Sequence, residues 1–238
     1  MPRVVALLAC LGMGGALVWM VEEGHVWRFD RAAYFLFVLT LRNPALTQLM
    51  EWCSALASPV VLLALLLTIA AFVPGRRPEV CAAVNLVAVT ALDLALKAVF
   101  RRERPSGYNL IVETGWSFPS GHSMVAMAFF GLMIWFIWTA ERERAKRWLL
   151  SLAFAALIVA VGVSRIYLGV HYASDVIGGF ACAIGWLLAY TRFAVPTIMG
   201  PEDGALVLAS EPTSARTSPS SPGEAPRSRH LRPRRPRS

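Results

Sequence analysis

Charge is scarce in this chain. Only 16% of its 238 residues are Asp, Glu, Lys or Arg, where soluble domains average roughly 25%. That shortage argues against a water-soluble globular protein. Histidine is scarcer still: His25, His122, His171 and His230 are the complete set. None falls in the middle of an apolar run, which excludes an electron carrier holding haem between paired mid-membrane histidines. The four cysteines, Cys10, Cys53, Cys81 and Cys182, lie in or beside apolar runs. None forms a CxxC pair or sits near a histidine at metal-ligand spacing. Free thiols are expected, with neither a zinc site nor a disulfide framework. Strand-like alternation of useful length and internal repeats are also missing, so the expected fold class is all-α.

What the chain has is apolar length. Hydrophobic residues make up 56% of it, and a membrane span needs about 20 of them in sequence. Six segments qualify: 4–21, 55–74, 80–100, 121–140, 147–167 and 172–194. The first could pass for a signal peptide, but too few residues precede Cys10 for a basic region and an apolar core, so it is expected to stay as a span. Basic residues in the turns GRRPE (75–79) and ERERAKR (141–147), and in the terminal RSRHLRPRRPRS, put both termini in the cytoplasm by the positive-inside rule. The loops 22–54, 101–120 and 165–171 then face outward. The loop 101–120 breaks that rule locally with Arg101, Arg102 and Arg104. An anionic substrate would supply the reason. The expectation is a multi-pass cell-membrane protein: one six-helix domain over 1–200, its active-site loop at 101–120, its active site extracytoplasmic.

Two regions need separate treatment. Segment 26–53 joins an apolar stretch too short to span to an amphipathic one, and reads either as a pair of outer interfacial helices or as a packed outer loop. Residues 201–238 are rich in Ser, Pro and Arg and cannot bury a core. They are expected to form a disordered basic tail, which could touch anionic lipid or simply reinforce topology.

Chemistry-bearing residues gather in three clusters at the outer ends of the spans: KAVFRRERP, FPSGHS and SRIYLGVHYASD. Each has a plain explanation. Lys97 could pair with Asp93 one helical turn earlier; Arg101 and Arg102 could anchor the interface; Ser120 could be a helix N-cap; His171 and Asp175 could make a structural hydrogen bond. Taken together they fit one reaction. Lys97, Arg104 and Arg165 suit a dianionic group. Ser120, Gly121 and the opening N–H groups of the fourth span add donors. Asp175, one turn from His171, can hold one imidazole nitrogen as N–H and leave the other free to attack. His122 can then protonate a leaving oxygen. Phosphoryl transfer through a phosphohistidine would use every one of these residues.

The three motifs, K-x6-RP (Lys97, Arg104, Pro105), PSGH (Pro119 to His122) and SR-x5-H-x3-D (Ser164, Arg165, His171, Asp175), resemble those of the type 2 phosphatidic acid phosphatase (PAP2) superfamily. All three are complete and in order. The resemblance implies a nucleophilic His171 helped by Asp175, His122 as general acid, and Lys97, Arg104, Ser120, Gly121 and Arg165 around the phosphate. It implies neither a metal nor another cofactor, and the chain has no carboxylate cluster that would suggest one. The context ETGWSFPSGHSM looks like the superfamily's bacterial phosphatidylglycerophosphate and undecaprenyl-diphosphate phosphatases. The expected partners are a lipid phosphate and the bilayer, with no nucleic acid; oligomeric state is not legible. A lipid phosphotransferase using the same site is the main alternative. A non-catalytic lipid-binding protein would have no need of both histidines, and the vanadate-dependent relatives that oxidise halides are soluble.

Overall fold

The computed structural model describes residues 27–72 and 77–200. Among these residues every regular element is helical, as the sequence predicts. Helix α1 (Trp27–Tyr34) passes into a π-helical stretch, Phe35–Thr40. Then come α2 (Pro44–Ala55), α3 (Pro59–Phe72), α4 (Arg77–Phe100), α5 (Gly121–Ala140), α6 (Arg144–Tyr167) and α7 (Ala173–Ala189). The helical path of α7 continues through a π-helical turn, Tyr190–Ala194, to Gly200.

Four of these helices are long and apolar enough to cross a membrane: α4, α5, α6 and α7 with its extension. They coincide with four of the six expected spans. The expected span 55–74 is cut short. Helix α3 has 14 residues, about 21 Å at 1.5 Å per residue, against a hydrocarbon core of about 30 Å. It reaches a span's length only with α2, from which it is bent by 57°. The break has a local cause: Ser58 precedes Pro59, and the Val61 N–H reaches Ser58 Oγ at 3.4 Å, a helix start with proline at its first position. The described residues therefore hold four or five candidate spans. The expected first span, 4–21, and the tail 201–238 lie outside them. Within the segment 26–53, the described residues form α1, the π-helical stretch and most of α2.

Helix α5 is the central element, packed against α4, α6 and α7. Polar ties cross between spans where water cannot satisfy them. Asn85 of α4 donates to the Ala128 carbonyl of α5 at 2.8 Å and accepts from the Trp186 indole of α7 at 2.8 Å. The Tyr190 hydroxyl donates to the Cys81 carbonyl at 2.6 Å. Cys53, Cys81 and Cys182 are free thiols.

The end of α4, the start of α5, the end of α6 and the start of α7 meet at one end of the bundle. Two backbone bonds fix this: Ser117 N–H to Arg102 O at 2.8 Å and Ser120 N–H to Asp175 O at 3.0 Å.

Candidate active site

Five residues separate Arg165 from His171, and the way α6 ends decides how they meet. Val170 N–H bonds back to Arg165 O at 3.3 Å, and Gly169 N–H to Ile166 O at 3.0 Å. This is a Schellman turn, with Gly169 at the left-handed position, φ 79°. A side chain there would also strike the Arg42 guanidinium and the Tyr108 carbonyl, both 2.9 Å from the missing Cβ. Arg42 itself donates to Tyr167 O at 2.8 and 3.1 Å and to Tyr108 O at 2.6 Å, clamping the turn to the 101–120 loop.

His171 is 2% exposed and stands between two charged groups. Its Nε2 lies 3.0 Å from Arg104 Nη1. Guanidinium can only donate, so Nε2 is the lone-pair nitrogen and Nδ1 carries the proton. Nδ1 faces Ser117 Oγ at 3.4 Å and Asp175 Oδ2 at 3.5 Å. Burial above all pushes the imidazole pKa down to about 4; the nearby Arg104 and Arg165 charges act the same way and Asp175 opposes them. The ring is neutral at pH 7.

Asp175 reaches His171 by a route other than the expected shared helix face. Helix α7 begins at Ala173, so His171 lies before it and Asp175 is in its first turn. The carboxylate folds back over the helix start. Oδ2 accepts from Tyr172 N–H at 2.8 Å and from Ser117 Oγ at 2.5 Å, and Oδ1 accepts from Arg102 Nη1 at 2.6 Å.

The phosphate-binding candidates surround this pair. Arg104 is held by Gly115 O at 3.0 Å, Val170 O at 2.9 Å and Thr114 O at 3.2 Å. Arg165 is 1% exposed. It donates to Ser54 Oγ at 2.5 Å and to Glu113, and its Nε has no partner. Glu113 also lies 3.7 Å from Arg104. Burial, which would raise the Glu113 pKa, is outweighed chiefly by the Arg165 charge and hydrogen bond, so the carboxyl is held below its ordinary value. Lys97 does pair with Asp93, at 2.8 Å. The same ammonium lies 2.8 Å from where a Cβ on Gly121 would stand, so only glycine lets Lys97 approach the start of α5. Ser120 is the N-cap residue of α5, but its side chain makes no capping bond; its Oγ instead accepts from Ser123 Oγ at 2.9 Å. Two residues after Ser120, His122 is half-buried and within electrostatic reach of Arg165, Glu113, His171 and Lys97. All eight candidates thus converge on one end of the bundle.

Sequence reading missed several neighbours. Arg102, read as an interface anchor, instead bridges Asp175 to Asp30 of α1, with Nη2 2.8 Å from Asp30 Oδ2. Asp30 also accepts from the Ser174 N–H at 2.8 Å and hydroxyl at 2.7 Å. A lone acid in the apolar segment WRFDRAAYFLF was the available signal. Ser117, Glu113 and Ser54 carried none.

The fold and this cluster define a helical membrane bundle whose candidate site residues collect at one end of its spans. The family profile described as PAP2 superfamily matches residues 78–198, and the chain belongs to that superfamily. It is 39% identical over 100 residues to phosphatidylglycerophosphatase B of Bacillus subtilis (strain 168), covering 42% of this chain and 48% of that protein. It is 36% identical over 87 residues to glucose-6-phosphatase 3 of Mus musculus, covering 32% of this chain and 24% of that protein. The chain thus spans half or less of the length of these relatives. Among solved structures, a transmembrane PAP2 type phosphatidylglycerolphosphate phosphatase from Bacillus subtilis superposes with a TM-score of 0.72 at 27% identity, covering 79% of this chain and 94% of that one.

Proposed function

We propose that the chain is a membrane phosphatase that removes the terminal phosphate of a lipid phosphate or diphosphate through a phosphohistidine, without a metal. The observation that carries this is the His171 ring: neutral, its Nε2 lone pair set against Arg104, its Nδ1 proton facing Ser117 and Asp175. In the first step Nε2 forms a bond to phosphorus while the bond from phosphorus to the leaving oxygen breaks. His122 gives that oxygen its proton. The positive charge that develops on the imidazole is stabilised by Asp175. Arg104, Arg165, Lys97 and the unpaired N–H groups opening α5 balance the phosphoryl oxygens. In the second step His122 takes a proton from water, the water oxygen bonds to phosphorus, and Nε2 leaves with its electron pair.

The lipid assignment draws on the similarity to phosphatidylglycerophosphatase B, and phosphatidylglycerophosphate, phosphatidate and undecaprenyl diphosphate are the candidate substrates. The loop charges favour six spans, with the site on the outer face and both termini in the cytoplasm. The deciding measurement is phosphate release by the purified, detergent-solubilised chain from those three lipids and from glucose 6-phosphate. Release from at least one lipid, absent in His171→Ala, is expected. Hydrolysis of the sugar phosphate alone would overturn the lipid reading.

A further inference from the structure

Two of the arginines that the proposed reaction needs already hold an anion. Glu113 lies between them, one carboxylate oxygen bound by Arg165 and the other 3.7 Å from Arg104. Arg104 is the same guanidinium that stands 3.0 Å from His171 Nε2. A phosphoryl group within reach of that nitrogen must therefore compete with Glu113 for both arginines. The backbone of the loop is not free to make way, because Arg104 bonds the Thr114 and Gly115 carbonyls. The Glu113 side chain, one-quarter exposed, can turn out alone.

We propose that Glu113 is a built-in competitor that a dianionic terminal phosphoryl group can displace and that the monoanionic phosphodiester headgroups surrounding it in a bilayer cannot. The proposal rests on the phosphatase reading above.

Charge and oxygen count both support it. Lys97, Arg104 and Arg165 bring three positive charges, of which Asp93 offsets one at Lys97. With Glu113 turned out, two remain, which matches a monoester. Phosphate monoesters carry about −1.5 to −2 at pH 7; a diester carries a single charge, as Glu113 does. Exchanging one monoanion for another gains nothing electrostatically. A tethered group also acts at an effective concentration on the order of millimolar or more, so a free diester of equal intrinsic affinity loses. The oxygen count agrees. A carboxylate spread over two arginines leaves Arg165 Nε buried and unpartnered. A diester likewise offers two terminal oxygens, whereas a monoester offers a third for that donor.

The test is competitive inhibition of 4-nitrophenyl phosphate hydrolysis by dimethyl phosphate and by inorganic phosphate. In the wild-type chain, dimethyl phosphate should need at least about 100-fold more than inorganic phosphate for equal inhibition, the span of two decades that a charge-assisted preference of about 2.7 kcal/mol gives. In Glu113→Gln, which keeps the shape and removes the charge, neither anion has a carboxylate to displace, and both should inhibit at concentrations at least about tenfold lower, or about 1.4 kcal/mol. Equal inhibition of the wild type by the two anions overturns the proposal without any variant. Inhibition by both anions at unchanged concentrations in Glu113→Gln, with normal phosphate release by the wild type, overturns the role of Glu113 alone. A wild type that releases no phosphate from any monoester removes the phosphatase reading and this proposal with it.

Discussion

Arg102 donates to Asp175 at 2.6 Å across 73 residues of chain, and the other end of its guanidinium reaches Asp30 at 2.8 Å. It also lies over the Tyr172 ring, 4.2 Å from the centroid. The carboxylate beside His171 is therefore held from α1 as well as from its own helix. Removing one partner of a buried ion pair typically costs about 3–5 kcal/mol. Arg102→Ala strands two buried carboxylates and should lower the thermal midpoint in detergent well below that of Arg101→Ala, which changes an exposed neighbour. Equal midpoints would show that the bridge contributes nothing. A double-mutant cycle between Asp30→Asn and Arg102→Ala should give a coupling above about 1 kcal/mol.

The two histidines should separate by leaving group. General acid help is typically about 10²–10⁴-fold. His122→Ala should lose most of that on phosphatidate, whose glycerol alkoxide leaves poorly, and much less on 4-nitrophenyl phosphate, provided the chemical step limits both. His171→Ala should abolish turnover of both and leave no acid-labile phosphoprotein. Equal losses in His122→Ala on the two substrates would instead make His122 a phosphate ligand.

The His171 ring should titrate far below an ordinary histidine. Its pKa is lowered to about 4 from about 6.5 for a free side chain, so the neutral ring with its Nε2 lone pair persists as pH falls through 6.5. It is lost only as pH falls through about 4. Ring-labelled histidine NMR, assigned by difference with His171→Gln, reads this directly. A midpoint near 6.5 would mean that the ring is hydrated.

Ser117→Ala tests the group that reading the motifs alone passes over. Its hydroxyl donates to Asp175 at 2.5 Å and faces His171 Nδ1 at 3.4 Å. The variant should fold, lose about tenfold or more in kcat, roughly 1.4 kcal/mol of barrier, and keep KM within a few-fold. A purely structural serine would change neither.

Sidedness can be read by labelling. Val112 and Arg142 are both exposed and lie at opposite ends of α5. Single cysteines there, in a chain without its native ones, should react oppositely with an impermeant thiol reagent on intact cells. Equal reaction would sink the proposed topology.

The spans α4 to α7 were legible because composition alone decides them, and the three motifs were legible because each is local. What lay across the chain was not. Nothing in KAVFRRERP says that Arg102 pairs with a residue on α1, or that Glu113 lies between Arg104 and Arg165. The pairing of His171 with Asp175 was anticipated on a spacing argument that the structure replaces: the carboxylate returns over a helix start instead of stacking one turn along a shared helix. Ser58-Pro59 did carry a legible helix start, but the apolar run through 55–74 hid it.

Residues 101–120 contain neither helix nor strand, the usual mark of a segment that opens and closes. They are pinned at several points along their length. Arg102 O accepts from Ser117 N–H, Tyr108 O from Arg42, Leu110 N–H reaches Leu168 O at 3.0 Å, and Arg104 holds the carbonyls of residues 114 and 115. Such a segment behaves as masonry: the bonded amides of Leu110 and Ser117 should exchange hydrogen as slowly as those of the neighbouring helix ends. Turnover then need not wait for a lid, and solvent viscosity should leave its rate unchanged.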